Sequence, residues 1–276
     1  MSSTPSPTDS RAVAREALAA LEGGRQIGPF SARIAGFDLA AGYRAAAAVR
    51  ELRIARGETP IGRKIGFTNR TIWAEYGVWA PIWGYVYDRT VHDLGGAAGL
   101  GFSLGGLLEP RIEPEVVFGL GAAPIAGMDE AALLGCVQWV AHGFEIVQSI
   151  FPGWKFAAAD TVAGFGLHGA LLIGPRHPVA ATSRALLAAL PQFEIDLLRD
   201  GAIQDRGRGV NVLDGPLSAL RHLVEALALD PAQPPLAVGE VVTTGTLTRA
   251  FPVSPGQTWS TVLHGIDLDP LVLRLA

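Results

Sequence analysis

Residues 110–118 read PRIEPEVVF and place two glutamates, Glu113 and Glu115, inside an otherwise apolar run. An isoleucine precedes the pair and the run VVF follows it, a pattern that is typical of a strand entering a core. Side chains alternate between the two faces of a strand, so both carboxylates point to the same side. Carboxylates are rarely buried unless they are paired or bind a cation. The stretch therefore raises the question of a bound cation, although an E-x-E pair alone is more often a solvated strand face.

The N-terminal part of the chain predicts helices. Residues 1–8 are rich in Ser, Pro and Thr and are expected to be disordered. Asp9 or Ser10 can cap a first helix and Asp38 can cap a second, since short polar side chains satisfy the free N–H groups of a first turn. These helices predict a small N-terminal helical layer over residues 9–60.

The remainder, residues 61–276, changes to short β-like runs separated by Gly, Pro and Asp turns. The dipeptide Asp200-Gly201 between two such runs predicts a β-hairpin. Helical patterns interrupt the strands at 129–142 and 215–229. Strands outnumber helices and most connections resemble hairpins or loops. This favours an α+β fold in which a mainly antiparallel, rolled β-sheet forms one catalytic domain.

The bulk composition excludes several classes of protein. Charged residues make up 17% of the chain, below the roughly 25% of an average soluble domain, so we expect some apolar surface to be covered in a homo-oligomer. A net charge of −4 without a basic block argues against a nucleic-acid partner. The lone Cys136 lies in an apolar run and is expected to be a buried structural thiol in a reducing compartment. No apolar run approaches 18 residues, so we expect no membrane contact and a cytoplasmic location.

A third carboxylate strengthens the cation hypothesis. Glu145 lies in the run FEIVQS, again among apolar residues. Three semi-buried carboxylates on two neighbouring strands would fit a six-coordinate site with positions open to water and substrate. Ligation by oxygen alone favours Mg²⁺, Mn²⁺ or Ca²⁺ over zinc.

Six segments, taken together and in order, resemble a known family. Each is weak alone: RKIGFTN (63–69), YGVWAPIWGYVYD (76–88), PRIEPEVVF (110–118), FEIVQS (144–149), GPLSALRHLVEAL (215–227) and VVTTGTLTRAFPVSPGQ (241–257). The chain resembles the 2-keto-4-pentenoate hydratase, 2-oxohept-3-ene-1,7-dioate hydratase and 4-oxalocrotonate decarboxylase family, within the fumarylacetoacetase-like superfamily. The resemblance covers roughly residues 10–275.

The resemblance implies a metal site. The glutamates of the family's E-x-E strand and the glutamate of its "EIV-S" strand bind a divalent ion, and they correspond to Glu113, Glu115 and Glu145 here. The implied cofactor is Mg²⁺ or Mn²⁺.

The resemblance also implies catalytic and substrate-binding residues. Lys64 and Asp88 match the residues that are usually treated as the family's acid/base and enolate-stabilising pair. The loop TTGTLT could donate N–H and hydroxyl groups to a substrate carboxylate through Thr244, Gly245 and Thr246, although a simple glycine turn explains the same letters.

The function that this resemblance implies is a metal-dependent hydratase. It would add water to a 2-hydroxydienoate, or to its 2-oxo-enoate tautomer, and give a 4-hydroxy-2-oxo acid in aromatic-compound catabolism. Alternatives are a 2-oxo-acid decarboxylase of the 4-oxalocrotonate type, an acylpyruvate-type C–C hydrolase, and an inactive metal-binding partner subunit of a decarboxylase.

One segment departs from the family. Where the family commonly has A-D-N, this chain has Ala163-Gly164-Phe165, which puts the position of substrate or water in question. His168 follows this segment and could face the site, but a lone histidine beside a strand is more often structural.

Overall fold

A computed structural model describes residues 9–76, 78–95, 100–179 and 183–276. The predicted disordered tail, residues 1–8, lies outside the described residues. Among the described residues, none of the helices combines the length and apolar character needed to span a lipid bilayer.

The helices begin at capping residues. Asp9 accepts backbone hydrogen bonds at the start of the first helix, and Asp38 and Asp129 do the same for two others, which confirms the predicted caps. Within the described part of the chain the helices are α1 (Ser10–Glu22), α2 (Leu39–Ala55), α3 (Trp73–Tyr76), α4 (Glu130–Cys136), α5 (Ala158–Ala163), α6 (Arg184–Gln192) and α7 (Pro216–Ala228).

The helix predicted over 129–142 was wrong in its second half. Helix α4 ends at Cys136 and the chain continues directly as a strand, Val137–Val147. The run VQWVAH is β-branched and aromatic, and its backbone groups pair with a neighbouring strand, so tertiary pairing overrides the local helical pattern. Cys136 is buried, as expected.

The strands form two mixed sheets. They are β1 (Pro60–Gly66), β2 (Ile82–Tyr87), β3 (Val91–Asp93), β4 (Leu100–Phe102), β5 (Arg111–Leu120), β6 (Val137–Val147), β7 (His168–Ile173), β8 (His177–Pro178), β9 (Glu194–Arg199), β10 (Ala202–Arg208), β11 (Val241–Thr243), β12 (Phe251–Pro252), β13 (Thr258–His264) and β14 (Val272–Leu275). The larger sheet runs β2-β1-β11-β5-β6-β7-β3, with β12 on β5 and β8 on β6. The smaller runs β10-β9-β13-β14-β4.

The sheets depart from the expected topology in one respect. The larger sheet is curled, as predicted. Parallel pairs occur among the antiparallel ones in both sheets: β1 with β11 and β3 with β7 in the larger sheet, and β4 with β14 in the smaller. The sheets are therefore mixed. The predicted hairpin at Asp200-Gly201 joins β9 to β10 and is confirmed.

Apolar residues fill the space between the layers. One cluster lies between the two sheets and includes Phe144 of β6 and Trp259 of β13. A second joins the larger sheet to α4, α6 and α7. The N-terminal helices α1 and α2 pack against each other and against α5. The division of the chain at residues 60 and 61 stays a prediction.

Strand β1 carries a cation on each face. Arg63 is 1% exposed, and its guanidinium lies 4.0 Å from the centre of the Tyr85 ring and 3.2 Å from a carboxylate oxygen of Glu240. The next residue, Lys64, is 2% exposed and faces the opposite side of the sheet. Both long side chains are therefore buried, each among its own partners.

Candidate metal centre

The antiparallel pair β5–β6 brings the three predicted carboxylates together. Glu113 lies directly opposite Glu145 across the two strands, and Glu115 follows two residues later on the same face. One oxygen from each side chain lies within 4.8 Å of the others. Glu115 and Glu145 are fully buried and Glu113 is partly exposed. The structure therefore assembles all three in one cluster.

Lys64 joins this cluster from a different strand. Strand β11 lies between β1 and β5, and its Thr243 pairs with Lys64 on one side and with Val117 on the other. The Lys64 ammonium Nζ lies 3.0 Å from Glu145 Oε2. Burial alone would lower the pKa of Lys64, but the nearby carboxylates, Glu145 first, outweigh it and raise this pKa above its usual value. Lys64 is therefore a charged ammonium inside the protein.

The pKa values of the three carboxylates shift in different directions. Burial raises the pKa of Glu113 to about 7, against the opposing effect of Lys64. It also raises the pKa of Glu115 well above its usual range, and the charge of Glu145 adds to this effect. For Glu145, burial is outweighed by Lys64 and by a hydrogen bond from His168, so its pKa falls to about 2. Without a cation, Glu145 is the carboxylate that stays ionised.

His168 belongs to the site, although the sequence favoured a structural role. Its Nδ1 lies 2.8 Å from Glu145 Oε1, and its Nε2 lies 2.8 Å from the Thr90 hydroxyl. Burial lowers the pKa of His168, against the effect of Glu145. No spacing rule links residues 145 and 168, so only the strand pairing reveals this contact.

The predicted substrate loop supports the carboxylates. The Gly245 N–H donates to Glu115 Oε2 at 2.8 Å, and the Thr244 hydroxyl donates to the Val116 carbonyl at 3.1 Å. Gly245 has a φ of 98°, and a Cβ there would lie 1.8 Å from Thr68 Oγ1. A glycine is therefore required at this position. The third loop residue, Thr246, lines the adjoining cavity.

The structure does not bring Asp88 to this cluster, and its acid/base role stays a prediction. In the β1–β2 pairing, Gly84 is the residue opposite Lys64, and Asp88 lies beyond the end of β2. Asp88 is exposed and its carboxylate accepts the Thr59 and Arg89 N–H groups. Its geometry is that of a turn aspartate.

A cavity opens beside the carboxylates. It holds about 700 Å³ when the solvent space at its mouth is included. Charged, polar and apolar side chains share its wall: Lys64, Glu113, Arg111, Arg249, Thr68, Asn69, Thr246, Ile65, Phe67, Ile82, Val147, Trp154 and Leu167. The Arg111 guanidinium lies 4.1 Å from the centre of the Trp154 ring.

The segment that departs from the family ends at Phe165, where a left-handed turn against Lys64 begins. Phe165, Gly166 and Leu167 all have positive φ, between 62° and 66°. Two of them carry side chains, and left-handed backbone at non-glycine residues is costly and concentrates at functional sites. A Cβ on Gly166 would lie 3.0 Å from Lys64 Cδ and 3.3 Å from Gly84 Cα. The turn therefore confines the Lys64 stem.

The donor set fits a divalent cation. Glu115 Oε1 is buried and has no hydrogen-bond partner among the described residues. A buried carboxylate oxygen without a partner is costly, and a cation would satisfy it. Three carboxylates without nitrogen or sulfur donors are typical of sites for hard divalent ions.

Comparisons with known proteins identify a family. No family model matches the chain. The curated 2-keto-4-pentenoate hydratase 1 of Dechloromonas aromatica is 30% identical over 270 residues, which cover 96% of this chain and 97% of the relative.

Two solved structures share the fold. The first is 4-oxalocrotonate decarboxylase from Pseudomonas putida G7, complexed with magnesium and adipate, with a TM-score of 0.87, 23% identity and 99% coverage of each chain. The second is fumarylpyruvate hydrolase from Pseudomonas aeruginosa, in complex with Mn²⁺ and pyruvate, with a TM-score of 0.54 and 16% identity; the match covers 78% of this chain and 88% of that one. Given the similarity to the hydratase over nearly its whole length, the chain belongs to the 2-keto-4-pentenoate hydratase family of enzymes.

Proposed function

We propose that this protein is a metal-dependent hydratase that adds water to a 2-hydroxydienoate, or to its 2-oxo-enoate tautomer, and yields a 4-hydroxy-2-oxo acid in the breakdown of aromatic compounds. The observation that carries the proposal is the meeting of two buried carboxylates, one half-buried carboxylate and one buried lysine beside a cavity. A relative that shares nearly the whole length of the chain is a hydratase.

Glu113, Glu115 and Glu145 would hold the cation, for which we propose Mg²⁺, with Mn²⁺ as a substitute. The bound ion would act as a Lewis acid on a substrate carbonyl and so stabilise negative charge that develops on its oxygen. Three carboxylates carry more negative charge than Lys64 alone balances, and this excess favours a divalent over a monovalent ion.

Lys64 is the residue that we propose for proton and charge handling. Its ammonium is held by Glu145 at 3.0 Å and lines the cavity, so it can donate a hydrogen bond or a proton to a substrate oxygen or carbon. Asp88 has no part in this scheme because it lies on the surface. The confinement of Lys64 by Gly84 and Gly166 fixes where the ammonium can reach.

Cationic side chains suit an anionic substrate. Arg111 and Arg249 line the cavity in addition to Lys64, so a carboxylate entering the site meets positive charge. Thr246 lies at the same wall, where its hydroxyl donates to the Thr248 carbonyl at 3.0 Å, whereas Thr244 and Gly245 support the carboxylates. Apolar side chains such as Leu167 exclude bulk water and strengthen these interactions.

A decarboxylase is the second candidate, and one observation favours it. Residues 164 and 165 are Gly and Phe and supply no acid, base or amide to orient a water molecule. Loss of CO₂ from an enolate-stabilising site needs no such water. The hydratase and a C–C hydrolase both need a positioned water molecule. An inactive partner subunit would catalyse no reaction.

Product masses separate these candidates. The protein would be incubated with Mg²⁺ and, in turn, 2-hydroxypentadienoate, 2-oxohexenedioate and an acylpyruvate. We expect a product heavier by one water from the dienoate, and no product from a Glu115→Gln variant. Loss of CO₂ from the dioate would show the decarboxylase, and two fragments from the acylpyruvate would show the hydrolase. No turnover of any of them would favour the partner subunit and contradict the proposal.

We propose, in addition, that the protein is a cytoplasmic homo-oligomer that could also assemble with a decarboxylase homologue. The low charged fraction of the chain supports the homo-oligomer. Size-exclusion chromatography with light scattering tests it, and a monomer at micromolar concentration would contradict it.

A further inference from the structure

A β-bulge places His168 on the face of the sheet that carries the metal centre. Along β6 and β7 the pairing shifts from Ile146 opposite Ala170 to Val147 opposite His168, so Gly169 is an extra residue on β7. A Cβ on Gly169 would lie 2.6 Å from the Ile146 carbonyl oxygen, which explains the glycine.

The shift of one residue decides where the histidine points. In a regular ladder His168 would share the face of Ile146, which is turned toward the apolar cluster between the sheets. With the bulge, His168 shares the face of Val147 and therefore that of Glu145. The left-handed turn at residues 165–167 leads directly into this bulge.

The contacts then fix Glu145 from two sides. His168 Nδ1 meets one carboxylate oxygen at 2.8 Å, and the Lys64 ammonium meets the other at 3.0 Å. His168 is 4% exposed and Glu145 is fully buried, so water does not compete for these bonds. The Thr90 hydroxyl, 2.8 Å from Nε2, holds the far edge of the ring.

The His168 ring therefore lies between the Thr90 hydroxyl and the Glu145 carboxylate, with one ring nitrogen against each. The Thr90 hydroxyl is itself held in place, because it donates to the Tyr87 carbonyl at 3.0 Å. These contacts fix the orientation of the ring and, through it, that of the Glu145 carboxylate.

We propose that His168 is a positioning residue: it holds the Glu145 carboxylate in the orientation that serves both Lys64 and a divalent cation. Hydrogen-bond partners of this kind set the orientation and basicity of metal-ligating side chains. This inference rests on the proposed metal site but adds a residue that neither the sequence nor the comparisons assigned.

Metal affinity of the purified, metal-free protein tests the proposal without reference to any substrate. His168→Leu removes the donor. His168→Asn keeps one, because the amide nitrogen of asparagine occupies the place of Nδ1. We expect Mn²⁺ and Mg²⁺ affinity, measured by titration calorimetry, to fall by roughly 10- to 100-fold in His168→Leu. His168→Asn should retain most of it. His177→Leu, which alters a half-buried histidine that is paired with Asp269, should have wild-type affinity.

The outcomes are distinguishable. If the wild-type protein binds no divalent ion, the proposed function fails. If it binds one and His168→Leu binds equally well, or if His168→Asn loses as much affinity as His168→Leu, only the positioning role is overturned. Thermal unfolding of each variant shows whether it is folded. If His168→Leu does not fold, the positioning role is tested by comparing His168→Asn with Thr90→Val. The Thr90→Val variant leaves the donor at Nδ1 in place, so it should weaken metal binding only a few-fold.

Discussion

Replacement of Lys64 by methionine removes the cation that balances Glu145 and keeps most of the buried volume. At 3.0 Å, and with an effective dielectric constant near 20, this ion pair is worth about 5–6 kcal/mol of Coulomb energy. The variant has a cheaper alternative, because Glu145 can take up a proton. Protonation of Glu145 costs about 1.4 kcal/mol for each pH unit above its ordinary pKa of about 4.3, or about 3.7 kcal/mol at pH 7. We therefore expect Lys64→Met to lower the free energy of unfolding by about 3–4 kcal/mol at pH 7.

The same reasoning fixes how this loss depends on pH. In the wild-type protein the pKa of Glu145 is lowered to about 2, so its stabilising contribution is complete above about pH 4.3 and is lost only as the pH falls toward 2. In the variant, protonation of Glu145 becomes easier as the pH falls. The difference between the two proteins should therefore shrink to about 1 kcal/mol at pH 5.

Urea unfolding in EDTA at pH 7 and pH 5 measures this difference, because EDTA removes any ion that could replace the lost charge. The chain offers a matched control, since its other lysine, Lys155, is exposed. Lys155→Met should change stability by less than about 0.5 kcal/mol. Equal losses for Lys64→Met at both pH values, or a loss no larger than that of Lys155→Met, would refute the argument.

Four further predictions concern the acidic cluster and the loop that supports it. Glu115→Gln, which preserves the shape of the side chain, should weaken divalent-ion affinity by more than about 100-fold. That figure is the largest loss expected from mutating a residue that only hydrogen-bonds to a metal ligand. An affinity within tenfold of wild type, measured by calorimetry, would contradict this. Metal binding at pH 7 should release protons, since burial raises the pKa of Glu113 to about 7 and that of Glu115 well above its usual range; binding heats that are the same in buffers of different ionisation enthalpy would argue against it. For the same reason the raised pKa of Glu113 should make the metal-free protein less stable as the pH rises from about 4.3 through 7, and urea midpoints that rise over this range would count against it. Gly245→Ala should be less stable than Gly239→Ala by at least about 1 kcal/mol. The two glycines have similar positive φ, but only Gly245 has a neighbour in the way of a Cβ; equal losses of thermal stability would show that backbone conformation alone matters.

Local chemistry explains why much of the fold was predictable. Asp38 and Asp129 cap helices within three residues of their own position, so the signal is contained in the sequence. The pairing of Glu113 with Glu115 on one face follows from the two-residue period of a strand. Their approach to Glu145 required the family resemblance, since the two strands are joined by a helix.

Features set by pairing between distant strands were not predictable. Residues 137–142 look helical in isolation and become a strand only because β5 lies beside them. Asp88 seemed to close a functional motif, but its distance from Lys64 depends on the register of β1 against β2. His168 reaches Glu145 through a bulge, and a single extra residue in a ladder leaves no periodic trace in the sequence.

The adjacent residues Arg63 and Lys64 disfavour a wrong register of β1 against its neighbouring strands. A slip of one residue against β2 and β11 would exchange the two cations. The bulky guanidinium would enter the space that Gly84 and Gly166 leave for a lysine stem, and the ammonium would lie among aromatic rings without the geometry to reach Glu240. The misplaced ammonium would be a buried charge without a carboxylate partner, at a cost of several kcal/mol. The partners of β1 on its two faces thus disfavour a shifted register during folding. Mutants that neutralise both cations should show heterogeneous folding before they show a lower melting temperature.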